Sequence, residues 1–249
     1  MPPAADSPER LHYLIVRHII DTGHAPALPR LAELAELTPQ SAEAALRKLE
    51  QIHGVILAPN SVRIWSVHPF ALNPTSFWVR AVAQPPLAAH SAFPTSPEPK
   101  AQATSGWWAN CAWCALGIGA AMNQDVTITT SDAGESDSLE FTIERGKTSR
   151  TDLLMNFPYP PEQWWDNPFA PCANILFFTS EARIDSWRAR HGHPQGSCLP
   201  IDVAIRLAEL WFGDYASPGW VRKMPERANE IFGELGLDRS FWKLPSTFR

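Results

Sequence analysis

Residues 107–122, WWANCAWCALGIGAAM, carry no charged side chain and set two of the chain's four cysteines three positions apart. A run this apolar must be covered by the rest of the molecule, and its alanine content predicts a buried helix beginning near Asn110. On such a helix Cys111 and Cys114 share one face of the first turn, where the partial positive charge of the N-terminus favours a thiolate. The spacing alone says little more. Unpaired cysteine is most often a small buried hydrophobe, and CxxC serves zinc and redox sites alike. The other cysteines, Cys172 and Cys198, are single and far apart, so no second pair completes a tetrahedral zinc knuckle. The residues before Trp107 are rich in Pro, Ser and Ala rather than strand-like, which argues against a thioredoxin-type site.

Composition narrows the class. The 249 residues are 45% hydrophobic with a net charge of -5, and no apolar run is long enough to span a membrane. Residues 1–10 are polar and contain proline, unlike a secretory leader. A cytoplasmic location with reduced thiols is the expectation. An acidic balance disfavours a general nucleic-acid surface. The 24 prolines and 11 tryptophans predict long loops pinned by aromatic packing.

Along the chain, apolar positions Leu11, Leu14, Ile15 and Ile19 predict an amphipathic helix over 11–21, closed at Thr22-Gly23. Pro29 opens a short second helix, and Thr38-Pro39 caps a third over 40–52. Strands are expected at 55–57 and 62–67 around Pro59-Asn60. Three helices and a β ribbon outline a winged helix-turn-helix. Its third helix offers only Arg47 and Lys48 against Glu43 and Glu50, too little basic surplus for phosphate contact, so nucleic acid is not the expected partner.

Residues 69–100 hold short apolar pieces such as Phe77-Trp78-Val79 among prolines, the pattern of a linker or a packed cover. A hairpin is predicted from 125–130 and 139–144, and a doubly buried strand at 173–179 follows Cys172. Helices are expected after Ser180, ending at Gly192, and over 199–212, with the remaining tail packed outside as further helix.

Two separated segments resemble the organomercurial (alkylmercury) lyases. Ala112-Trp113-Cys114-Ala115-Leu116-Gly117 is similar to that family's Ala-Trp-Cys-Ala-Leu-Asp segment in all but its last position. Cys172, followed by Phe177-Phe178-Thr179-Ser180, Trp187 and His191, resembles the second signature. The likeness extends from about Leu11 to Phe212.

The resemblance implies an α+β fold: a winged-helix-like domain over 1–68, a proline-rich connecting or covering segment over 69–104, and a mixed α/β core of treble-clef type over 105–249. It implies carbon–mercury protonolysis, with Cys114 and Cys172 as the mercury thiolates and no cofactor. Hg(II) would pass to cellular thiols or mercuric reductase.

The family's aspartate falls on Gly117, which can neither accept nor give a proton. Cys111, Asp125 or Asp132, or a water could stand in, and a glycine there leaves room for a larger organic ligand. Trp113 is expected beside Gly117 in the substrate pocket, and Trp107, Trp108, Trp164 and Trp165 are further wall candidates. Absence of the acid also admits a changed activity: a thiol-based enzyme on another organic substrate, or a soft-metal binder that breaks no carbon bond. Cys198 is expected to be a buried structural thiol, and His191 and His193 a helix end and loop.

Overall fold

The computed structural model describes residues 6–82, 106–135, 137–164, 169–237 and 239–246. The chain opens with three helices, α1 (Pro8–Thr22), α2 (Leu28–Ala35) and α3 (Pro39–Gln51), followed by short strands β1 (Ile56–Leu57), β2 (Ile64–Val67), β3 (Phe70–Ala71) and β4 (Trp78–Ala81). Ser7 and Thr38 cap α1 and α3 through their hydroxyls, each accepting a backbone N–H three residues on. Their apolar faces, Leu11, Ile15 and Ile19 on one and Ala42, Ala45 and Leu49 on the other, are buried.

After β5 (Trp107–Ala109) comes α4 (Ala112–Met122), then the hairpin β6 (Val126–Ser131) and β7 (Ser138–Glu144), with β8 (Lys147–Thr148) and β9 (Leu154–Phe157). The short helix α5 (Phe169–Asn174) leads into β10 (Leu176–Phe178), and α6 (Glu181–His191) into β11 (Ser197–Pro200). Helices α7 (Ile201–Phe212) and α8 (Pro225–Glu234) close the fold.

The strands form two antiparallel sheets. The larger runs β1-β2-β3-β5-β4-β6-β7-β8 and the smaller β10-β9-β11. Helix α4 lies against β4 and β5 on one side and α7 on the other. This explains its charge-free sequence: a helix covered all round has no face to give to water. Close approach is made possible by glycine, since a Cβ at Gly119 would stand 2.9 Å from Val126 Cγ2.

Several sequence expectations change here. Trp107–Ala109 is strand β5, and the helix starts at Ala112 with Cys111 as its N-cap. Phe77-Trp78-Val79 is not a cover: Trp78–Ala81 is β4, an interior strand between β5 and β6. The proline-rich segment beyond Val82, residues 83–105, lies outside the described residues. Cys172 sits inside α5 rather than in the loop before a strand. The tail packs inward, with Trp220 and Trp242 buried, and the Trp242 indole donates to Ser197 Oγ at 2.9 Å. No helix among the described residues is long and apolar enough to cross a membrane.

Candidate metal and thiol site

Four hydrogen bonds bring distant residues together at the N-terminus of α4. The Ala112 N–H donates to Ile175 O at 3.0 Å, fixing the start of α4 against the residue that joins α5 to β10. Asn110 reaches the other way. Its backbone N–H and its side-chain amide both donate to Pro69 O at 3.3 Å, and Ser66 Oγ donates to its side-chain oxygen at 2.9 Å. The turn between β2 and β3, with its cis His68-Pro69 bond, is thereby pinned to the same helix end.

The result is a cluster. His68, Cys114 and Cys172 each present one ligand atom, and these atoms lie within 4.8 Å of one another. His68 Nε2 is 3.4 Å from Cys172 Sγ. Cys111 is beneath them, fully buried, its sulfur accepting the Cys114 backbone N–H at 3.3 Å in the N-cap role that a serine oxygen often fills.

The three sulfurs do not ionise alike. Burial raises the Cys111 thiol, but hydrogen bonds from the Cys114 and Cys172 side chains and from the Cys114 backbone, together with nearby His68, bring it well below the ordinary thiol value. Cys114 is pushed well up by burial and by its hydrogen bonds to Cys111 and Cys172. Cys172 is raised, first by its hydrogen bond to Cys111. Charge therefore settles on the helix-capping sulfur, with the other two held as thiols that donate to it. Helix-end stabilisation thus reaches Cys111 and not, as the sequence suggested, Cys114 as well. Burial also lowers His68, against the opposing pull of the Cys111 sulfur.

Cys114, Cys172 and His68 open on a small apolar cavity of about 40 Å³, walled by Trp113, Trp164, Trp211, Phe212, Tyr215, Pro171 and Ile175. Trp113 packs against Phe157, Trp164, Trp211 and Phe212 with ring centroids 4.9 to 5.8 Å apart. Its indole N–H has no partner among the described residues.

Gly117 is not part of this wall. A Cβ there would fall 2.4 Å from Phe212 Cδ2, so the expected free space is filled by a ring from α7. Neither proposed aspartate reaches the sulfurs. Asp125 accepts the Arg145 backbone N–H at 2.6 Å, and Asp132 accepts Thr179 Oγ1 at 2.6 Å and Arg183 Nε at 3.1 Å.

Trp107 donates its indole N–H to Ile19 O and Trp108 packs on Trp78, both away from the cavity. Trp165 lies outside the described residues. Cys198 is exposed on β11 rather than buried. His193 stacks on Trp187, with centroids 4.4 Å apart, and His191 ends α6.

Sequence reasoning missed His68, Trp211, Phe212 and Tyr215. The last three sit on or just after α7 and read as ordinary core. His68 carried no motif, because its proximity to Cys172 is created by the Asn110 ties across 104 positions.

Comparison with known proteins supports the resemblance. Residues 91–213, about half of the chain, match the family model MerB, described as alkylmercury lyase. No curated protein matches in sequence. A solved structure described as the mercury-bound form of MerB2 superposes with a TM-score of 0.61 at 16% identity, covering 85% of this chain and 93% of its own, which shows a shared fold.

Proposed function

Over residues 91–213 this chain carries the alkylmercury lyase family's sequence pattern, and from that premise we propose that it cleaves carbon–mercury bonds, with Cys114 and Cys172 as the mercury thiolates. The observation that carries the reading is the approach of these two sulfurs, from α4 and α5, to within 4.8 Å at one apolar cavity. Mercury is a soft ion that exchanges its ligands for thiolate sulfur.

The chemistry balances without the missing carboxylate. An organomercurial R–Hg–X forms two Hg–S bonds while the Hg–X and Hg–C bonds break. One thiol proton leaves with X and the other ends on carbon, giving R–H and Hg(II) held by two sulfurs. An aspartate in this scheme is a relay, not the source of the proton. Cys111, hydrogen-bonded to both thiols, is the residue assigned to hold a proton between them. Sulfur donation makes the mercury-bound carbon more basic, and the tryptophan walls exclude competing water.

The further parts of the reading are a winged-helix-like unit from α1–α3 with the β1–β2 ribbon, a treble-clef-like core after it, a cytoplasmic location, and delivery of Hg(II) to cellular thiols or mercuric reductase. The winged-helix part rests on the order of α1, α2 and α3 followed by the antiparallel β1–β2 pair, and α3 spends Arg47 on Glu43 rather than on an outside phosphate.

Hydrocarbon release from an alkylmercury compound with excess thiol tests the activity. Release from the native chain, and its loss in Cys114→Ser and in Cys172→Ser separately, is the expected result. Binding of mercury with no release selects a second reading, soft-metal holding without cleavage. That reading is favoured by one observation, the Phe212 ring occupying the side-chain space at position 117.

A further inference from the structure

His68 is the feature that neither the family pattern nor the two-thiolate scheme uses. Its position is built rather than incidental. Asn110 holds the Pro69 carbonyl with two hydrogen bonds and receives a third from Ser66, so the turn bearing His68 is fastened to the helix bearing Cys114. A two-coordinate soft ion needs only two sulfurs. Here a nitrogen faces the same cavity as both.

The spacing is informative. His68 Nε2 and Cys172 Sγ are 3.4 Å apart. With zinc-type bond lengths of about 2.3 Å to sulfur and about 2.05 Å to nitrogen, that edge subtends an angle of about 100° at a shared ion, near the tetrahedral value. Cys114 Sγ lies within 4.8 Å of both atoms, and the cavity borders all three. Three ligands with a fourth position open to a pocket is the pattern of a reactive zinc-type centre rather than a closed structural one.

We propose that His68, Cys114 and Cys172 form a three-ligand site for a borderline divalent ion such as zinc, with its fourth position facing the apolar cavity. Two thiolates and a neutral imidazole suit this ion class, whereas hard ions that demand oxygen are excluded. The site does not depend on protonolysis. It exists whether or not the chain breaks carbon–mercury bonds.

Cobalt(II) serves as the spectroscopic probe. The full chain, reduced and stripped of metal with a chelator, is titrated with Co(II), and Zn(II) is then used to displace it. One ion per chain is expected, with sulfur-to-cobalt charge-transfer bands and the intense visible bands of four-coordinate cobalt, all lost on adding Zn(II). His68→Ala should weaken binding by about tenfold or more and shift the visible bands, with His68→Gln as the alternative if the alanine variant does not fold. Cys172→Ser should lower the charge-transfer intensity, and Cys198→Ser should change nothing.

Absence of charge-transfer bands overturns the proposal, as does cobalt binding by His68→Ala and His68→Gln that matches the native chain in affinity and spectrum. Hydrocarbon release is measured on the metal-free chain. Failure of metal binding and failure of cleavage are therefore separate results.

Discussion

The ring of Phe212 stands where a side chain at Gly117 would begin, 2.4 Å from the position of a Cβ. The two residues are on α4 and α7, which pack face to face in the centre of the molecule. A carboxylate cannot be restored at position 117 by a single change, because the space it needs belongs to the other helix.

Gly117→Ala should therefore destabilise the fold by about 1–3 kcal/mol despite alanine's better helix propensity, the range for overpacking a filled core. Gly117→Asp should cost more and leave hydrocarbon release no higher than in the native chain, while Gly117→Asp with Phe212→Ala gains the room. Urea unfolding of the single variants checks this. An unchanged midpoint in Gly117→Ala would show that Phe212 yields freely and that the packing argument is wrong.

The sulfur cluster should titrate in two stages. Cys111 has its thiol lowered, so its thiolate is the form favoured as pH rises from the acid side, while Cys114 and Cys172 are raised and Cys198 is pushed up to about 11. Before the pH reaches the ordinary thiol range, the metal-free native protein should gain the ultraviolet absorbance of about one thiolate per chain, abolished in Cys111→Ser. Persistence of that absorbance in Cys111→Ser would place the charge on another sulfur. The same variant tests the proton-holding role, with slower hydrocarbon release expected from unchanged mercury binding.

His12 gives the fold an acid sensitivity of its own. It is buried between Trp220, stacked at 3.6 Å, and Tyr215, and neither ring nitrogen has a partner among the described residues. Burial and then Lys223 lower its pKa from 6.5 to about 3. A protonated His12 is thus strongly favoured only in the unfolded chain. Its contribution is intact above about pH 6.5 and falls as pH drops toward 3, by at most about 1.4 kcal/mol per pH unit. His12→Phe should flatten the dependence of the urea midpoint on pH between 7 and 4. Equal slopes in the two proteins would remove His12 as the cause.

The cavity's size sets a preference among substrates. About 40 Å³ accommodates a methyl group beside the sulfurs and not an aromatic ring. Methylmercury should be cleaved in preference to phenylmercury, and Trp164→Ala should narrow or reverse that ratio of kcat/KM. A native preference for the aryl compound would mean that the walls open on binding.

Much of the architecture was legible one element at a time. Caps at Thr38 and Ser180, and stops at Gly23 and Gly192, are local chemistry, and the helices they bound are found close to the expected positions. The hairpin of β6 and β7 announced itself by alternation. Short strands did not. Two- to four-residue pieces such as β3, β4 and β5 have no period to read, and their pairing depends on partners far along the chain, such as Phe70 with Ala109 and Trp78 with Thr129.

What the sequence determined by itself was the helix that must be buried, the sulfur at its start, and the likeness that linked Cys114 to Cys172. Only the tertiary structure decided which other groups share their space. His68 entered because Asn110 holds a turn from far earlier in the chain. Asp125 and Asp132 were removed by partners of their own, and Gly117 was closed by a ring from α7. The physical reason is the range of the forces: helix caps and apolar periods act between residues a few positions apart, whereas a site is made by packing and hydrogen bonds among residues that no pattern in the chain places together.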